Sequence, residues 1–261
     1  MLSWLGGLPL FVLFLIFSGL AVATTVVVER LMRRLTAQGP RESIGQTAST
    51  VLQAITVVYA IVIGFVIVDE YGQFQDAEQH IGDKAAAIVI VIENAHALPP
   101  SDREEISRDT WRYTELLINR GLPKLADDGT FDFATGRALH HLYETAQSIE
   151  PTTESQRVAY ESIVGSLNDI VATRSDLLGA ARAAIPASLF WVLVLLGVAT
   201  MATAAVLDTK HRRSHLMILS MLAIAVGANL ALVVGLDYPF RGTIAVSDKP
   251  LVELLDDPAV R

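Results

Sequence analysis

The sequence contains no cysteine, which excludes disulfides, thiolate catalysis and cysteine metal sites. It also lacks a basic excess: 20 lysines and arginines stand against 28 aspartates and glutamates, a net charge of -8. No basic stripe with interleaved aromatics is present, so a nucleic-acid partner is not expected. Gly-x-Gly-x-x-Gly, P-loop and His-Glu-x-x-His motifs are absent. No serine sits in a nucleophile elbow. Neither an enzyme nor a bound cofactor is expected.

The most informative absence is charge over four long runs, 8–28, 51–68, 185–207 and 216–236. Each is long enough to cross about 30 Å of hydrocarbon at roughly 1.5 Å per helical residue. Lipid cannot satisfy open backbone groups, so such runs must be helical. Charge closes them at Glu29 and Arg30, at Asp69 and Glu70, at Asp208 and at Asp237. A 52% hydrophobic composition and mean hydropathy of +0.43 agree with a membrane protein. Ala21-Val22-Ala23 fits a small-x-small cleavage pattern, but no positive residue precedes the run and a basic cluster follows Val28. An uncleaved anchor is expected.

Two connections are basic: Arg30, Arg33, Arg34 and Arg41 follow the first run, and Lys210, Arg212 and Arg213 separate the last two. The positive-inside tendency puts both in the cytoplasm. The insert 69–184, with 20 acidic and 10 basic residues, and the carboxyl tail 237–261 then lie outside it. The expected protein is an all-α, multi-pass cell-membrane protein: four transmembrane helices, with an extramembrane helical insert between the second and third. Its segments are 1–68, 69–184, 185–236 and 237–261.

Within the insert the second span is expected to continue as one helix to Pro99-Pro100. A second helix opens with Ser101 and Glu104 at capping-box spacing and stops near Gly121. A third covers 134–149, and a fourth runs from Thr153, with Gln156 at the reciprocal position, to 184. "ADDGTFDF" reads as a loop. The stripe of Trp111, Leu116, Leu117, Leu139, Leu142, Tyr143, Ile163, Leu167 and Ile170 reads as bundle core.

Asp76 with His80, and His140 with Glu144, stand four apart on helical faces, yet two ligands do not hold a metal. They read as solvated faces, and no metal site is expected. No ionisable residue lies within the four runs, which disfavours a proton-coupled pump. Small residues recur every fourth position at Thr56, Ala60 and Gly64 and at Ala223, Gly227, Ala231 and Gly235, a pattern that lets helices approach closely. Gln53, Thr56, Tyr59 and Asn229 could bond between helices or line a path. After the last run, "LDYPFRGTIAVSDKP" crowds Asp237, Tyr238, Pro239, Phe240, Arg241 and Gly242 together. Tyr238 and Phe240 suit the headgroup zone. Arg241 is expected to snorkel, to turn inward and pair with Asp69, Glu70 or Asp237, latching the tail over one mouth, or to form an anion-attracting ring in an oligomer.

The layout, together with "YAIVIGFVIV" at 59–68, "DAE" at 76–78 and "LDYPFRGTIAVSDKP" at 236–250, resembles the bacterial bestrophin-like membrane family, a domain of unknown function. The resemblance covers about 43–255. It implies an oligomeric anion or ion channel, because bestrophins are pentameric channels whose second span lines a hydrophobic constriction. By that similarity Ile63, Val66 and Ile67, or the neighbouring face of Thr56, Tyr59, Ala60 and Gly64, would line a conduction path. Bestrophins keep the insert and tail in the cytoplasm, opposite to the placement that the basic loops indicate. Their acidic calcium clasp has no counterpart, since Asp127-Asp128 and Asp256-Asp257 are only pairs. The expected partners are thus the bilayer, further copies of the chain and a permeant ion. The alternative is a membrane-anchored sensor or interaction module acting through its acidic insert, with no transport.

Overall fold

Pattern and composition both call for helix, and in the computed structural model every regular element among the described residues is helical. The structure describes residues 7–35, 41–207, 212–242 and 244–256. Parts of both basic loops, Lys210 among them, and Asp257 lie outside the described residues. Among the described residues, four helical stretches are long and apolar enough to cross a membrane: Leu10–Leu31, Thr47–Ala95, Glu154–Val206 and Arg213–Leu236. The second and third exceed one span and include helix of the insert. The chain divides into two units.

The apolar unit contains α1 (Leu10–Leu35), the first part of α2 (Arg41–Ala95), α7 (Ala187–Val206) and α8 (Arg212–Leu236). The small stripe of α8 carries its packing on α1. Ala223 is buried with Ala21, Gly227 meets the backbone of Phe17 and Ser18, and Ala231 is buried with Leu13. A side chain at Gly227 would drive the two helices apart. α2 joins through Tyr59, Ile63 and Val66, which pack with Leu193 of α7 and Val226, Leu230 and Val233 of α8. The hydroxyls of Thr24, Thr25, Thr200 and Thr203 donate to carbonyls one turn back, so they enter an apolar setting already satisfied.

The second unit takes the rest of α2, then α3 (Pro100–Leu116), α4 (Leu122–Asp128), α5 (Phe133–Gln147), α6 (Glu154–Arg182) and α9 (Lys249–Asp256). Its core joins Ile81, Ile88 and Ile92 of α2 to Ile106, Leu142, Ile163, Leu167 and Ile170. The expected stripe is largely this core, with Trp111 and Tyr143 packed at its edge. Leu116 is only half-buried.

The capping box at α6 forms, with Thr153 accepting from the Gln156 N–H at 3.2 Å and Gln156 accepting from the Thr153 N–H at 3.3 Å. The box at Ser101 and Glu104 does not. Pro99 is the N-cap and Pro100 takes the first helical position, where its missing N–H is no loss, so Ser101 is already inside the helix. Its hydroxyl bonds Asp102 instead. Where a stop near Gly121 was expected, a π turn, 117–121, runs directly into α4. The loop therefore shrinks to 129–132, opened by Gly129 at φ 68° and closed by Asp132, which caps α5 through the Ala134 N–H at 2.9 Å. α6 ends at Arg182, two residues short of expectation, and Pro186 starts α7 after a break. α9 was not foreseen; it buries Leu251 and Leu254 in the core of this unit.

Candidate functional site

In the apolar unit α2 offers two different faces. Tyr59, Ile63 and Val66 point into the chain's own bundle, where they are buried. At about 100° per residue, Val57, Ile61 and Val68 fall on the opposite side. Val57 is 58% exposed, Ile61 54% and Phe65 73%, so among the described residues no element covers that side. Thr56 and Ala60 are also exposed, whereas Gly64 and Ile67 are half-buried. A Cβ at Gly64 would meet nothing within 4 Å, in contrast to Gly227, where it would come within 2.5 Å of Ser18 Cα. The seven α2 residues singled out in the sequence are therefore split, three toward the bundle interior and the rest on or beside its open side.

At the end of the charge-free run Asp69 is exposed and Glu70 turns inward, buried, where the Asp237 carboxylate is near enough to repel it. Asp237 is fixed by accepting from the Ile185 N–H at 2.6 Å, a bond that joins the end of α8 to the approach to α7. Burial holds its carboxyl above the ordinary range, while the Ile185 bond pulls the other way.

The residues after Asp237 take up specific positions of their own. Arg241 Nε donates to the Ala126 carbonyl at the end region of α4. Phe240 packs against the insert's core, and the buried Pro239 accepts at its carbonyl from the Val246 N–H at 2.7 Å. Gly242 adopts φ 77°, a left-handed conformation that only glycine takes readily, and this turns the chain.

Inside the insert the structure places polar groups that sequence patterning missed. Lys84 is fully buried, and its Nζ donates to the Ile170 carbonyl at 2.7 Å. Burial pushes its ammonium down to about 7, helped by the nearby Arg174 charge and opposed by Asp176. Tyr113 is buried with a hydroxyl that has no partner among the described residues, and burial pushes that phenol up. Asp109, also buried, accepts from Thr145 Oγ1 at 2.7 Å and lies 2.9 Å from His141 Nδ1. His140 approaches Glu144 at 3.3 Å on an exposed face, and His80 approaches Asp176 at 4.0 Å rather than Asp76. Among the described residues, no three acidic or histidine side chains gather as a metal would require.

Four apolar helices and an all-helical insert define a membrane protein built on spanning helices. The chain belongs to the Bestrophin-like domain family, which its sequence matches over residues 19–251. Among solved structures it is similar to a bacterial bestrophin homologue from Klebsiella pneumoniae. For one point mutant of that homologue the TM-score is 0.71 at 11% identity, with 93% of this chain and 96% of that chain covered. A second mutant gives 0.70 at 12% identity, covering 93% and 97%. The zinc-phased structure of the homologue gives 0.70 at 11% identity, covering 93% and 95%. At these identities the likeness is one of fold. No curated protein matches the chain.

Proposed function

We propose that the chain assembles into a homo-oligomeric ion channel of bestrophin type, with α2 helices from several copies surrounding the path. The carrying observation is the open side of α2. The small-residue stripe of α8 is consumed inside the bundle, but Thr56, Ala60 and Gly64 have no such use among the described residues. One copy's four spans do not enclose a path. A ring of α2 helices would enclose one, its copies approaching along the small residues, with Val57, Ile61 and Val68 directed away from each copy's own core. Such apolar rings gate by dewetting and need no intramembrane charge. Tyr59, Ile63 and Val66 then act as the packing that holds α2 in place, and Asp69 and Glu70 mark the mouth.

The test is ion flux into liposomes containing the purified protein, with several anions and cations. Flux is expected, and Ile61→Thr is expected to raise it by making the ring easier to wet. Absence of flux for every ion tried overturns the channel reading. A strictly monomeric mass in mild detergent would overturn the ring.

A further inference from the structure

The insert is acidic as a whole, yet three of its ten basic side chains, Arg112, Arg120 and Arg137, line one cleft of about 700 Å³ between α3, the π turn and α5. Its volume suits a small molecule, for which sites of roughly 300–1,000 Å³ are usual. Two acids also line it, and they differ. Asp109 is spoken for within the wall: Oδ2 takes Thr145 and His141, and Arg108 Nε lies 3.8 Å from Oδ1. Glu115 is exposed and pairs with neither Arg112 nor Arg120, and these two arginines have no ion pair or hydrogen bond among the described residues. Three other cations of the unit are engaged, Lys124 with Asp128, Arg157 with Glu154 and Arg182 with the Gly129 carbonyl. The cleft thus gathers guanidinium charge that the protein itself does not neutralise.

Its walls are built to hold that arrangement. The π turn breaks the helical register after Leu116, whose carbonyl also accepts from Thr135 Oγ1 of α5 at 3.2 Å. Gly121 permits this closeness, because a Cβ there would stand 3.2 Å from Thr135. Arg120 lies within this inserted turn and lines the cleft, and such bulges are frequent at functional sites. Arg137 is set by stacking on Phe133, 4.8 Å from the ring centre. His141, held by Asp109 through Nδ1, also lines the cleft.

We infer that the cleft between α3, the π turn and α5 binds a small multivalent oxyanion, a dicarboxylate or phosphate ester, through Arg112, Arg120 and Arg137. Planar guanidinium forks match such groups with paired charge-assisted hydrogen bonds. A simple halide would not use that geometry. The site does not depend on whether the spans conduct.

The test is calorimetric titration of the full-length protein in detergent with succinate and with inorganic phosphate, at constant sodium chloride. At least one probe is expected to saturate with Kd of about 1 mM or tighter. The double variant Arg120→Gln with Arg137→Gln is expected to weaken it by about tenfold or more. Arg103→Gln, on the same helix but outside the cleft, is expected to change nothing. Glu115→Gln is expected to tighten binding, a gain that a folding defect cannot mimic. No saturable binding of either probe overturns the inference, as does equal loss in Arg103→Gln and the double variant, or weaker binding in Glu115→Gln.

Discussion

Gly227 of α8 lies so close to Ser18 of α1 that a Cβ built on it would stand 2.5 Å from the Ser18 Cα and 2.6 Å from its nitrogen. Backbone cannot yield as a side-chain tip can, so Gly227→Ala must separate the helices and open the contacts of Leu13, Ala21 and Ala223 with them. The expected cost is about 3 kcal/mol or more, at the upper end for overpacking. It would be read as a lower thermal midpoint in detergent. Gly64→Ala is the matched control, since nothing lies within 4 Å of its Cβ. It should leave the midpoint of the isolated chain unchanged and lower the oligomer mass, if copies meet along that stripe. Equal stability of Gly227→Ala and the natural chain would refute the close crossing.

Tyr113 offers a test with the opposite sign. Its hydroxyl is buried with no acceptor among the described residues, while its ring fills the insert's core. Removing a polar group that has already lost its water and gained no partner relieves a desolvation penalty. Tyr113→Phe is therefore expected to hold stability or raise it by about 1 kcal/mol. Urea unfolding followed by tryptophan fluorescence would measure this. A loss above about 1 kcal/mol would instead reveal a hydrogen bond to that hydroxyl.

Lys84 makes the insert's stability depend on pH. In the folded chain its ammonium gives up a proton at about 7, whereas in the unfolded chain it does so at the ordinary 10.5. Between these values the unfolded state binds more protons, so stability rises as pH climbs from 7 toward 10 and is lost as pH falls back to 7. The slope from this one group is at most about 1.4 kcal/mol per pH unit. Below 7 both states are protonated and the contribution is flat. Lys84→Met should remove the slope, and an unchanged slope in that variant would show that another group sets it.

How far the fold could be read ahead follows from which signals are local. The charge-free runs, the proline boundaries and the Thr153–Gln156 box act within a few residues, and they predicted the helices well. The Ser101–Glu104 spacing misled because Pro100 had already taken the first helical position. The π turn gave no signal, since a one-residue change of register costs little and is stabilised by Thr135, 19 positions from the carbonyl it serves. Asp109 and His141 were invisible as a pair for the same reason, being 32 positions apart. On α2 the small residues were legible, but not which side faces the chain's own bundle. That depends on Leu193, Val226 and Leu230, contributed by α7 and α8. For Arg241 the sequence left snorkelling and inward pairing both open, and the Ala126 carbonyl, 115 positions away, could not be named.

Orientation can be settled with the residue the sequence lacks. A chain with no cysteine accepts a single reporter thiol without any background to remove. Ser155, exposed near the start of α6, samples the insert, and Ser214, exposed near the start of α8, samples the basic connection. If arginines and lysines hold both basic connections in the cytoplasm, the insert must be on the other side. A membrane-impermeant maleimide should then label Ser155→Cys in intact cells, and Ser214→Cys only after permeabilisation. The reverse pattern would move the insert and tail into the cytoplasm, as in the bestrophin arrangement, and would mean that the basic residues do not set topology here. In that case the oxyanion cleft would sample cytoplasmic solutes, and succinate or phosphate at cytoplasmic concentrations would become the relevant probes.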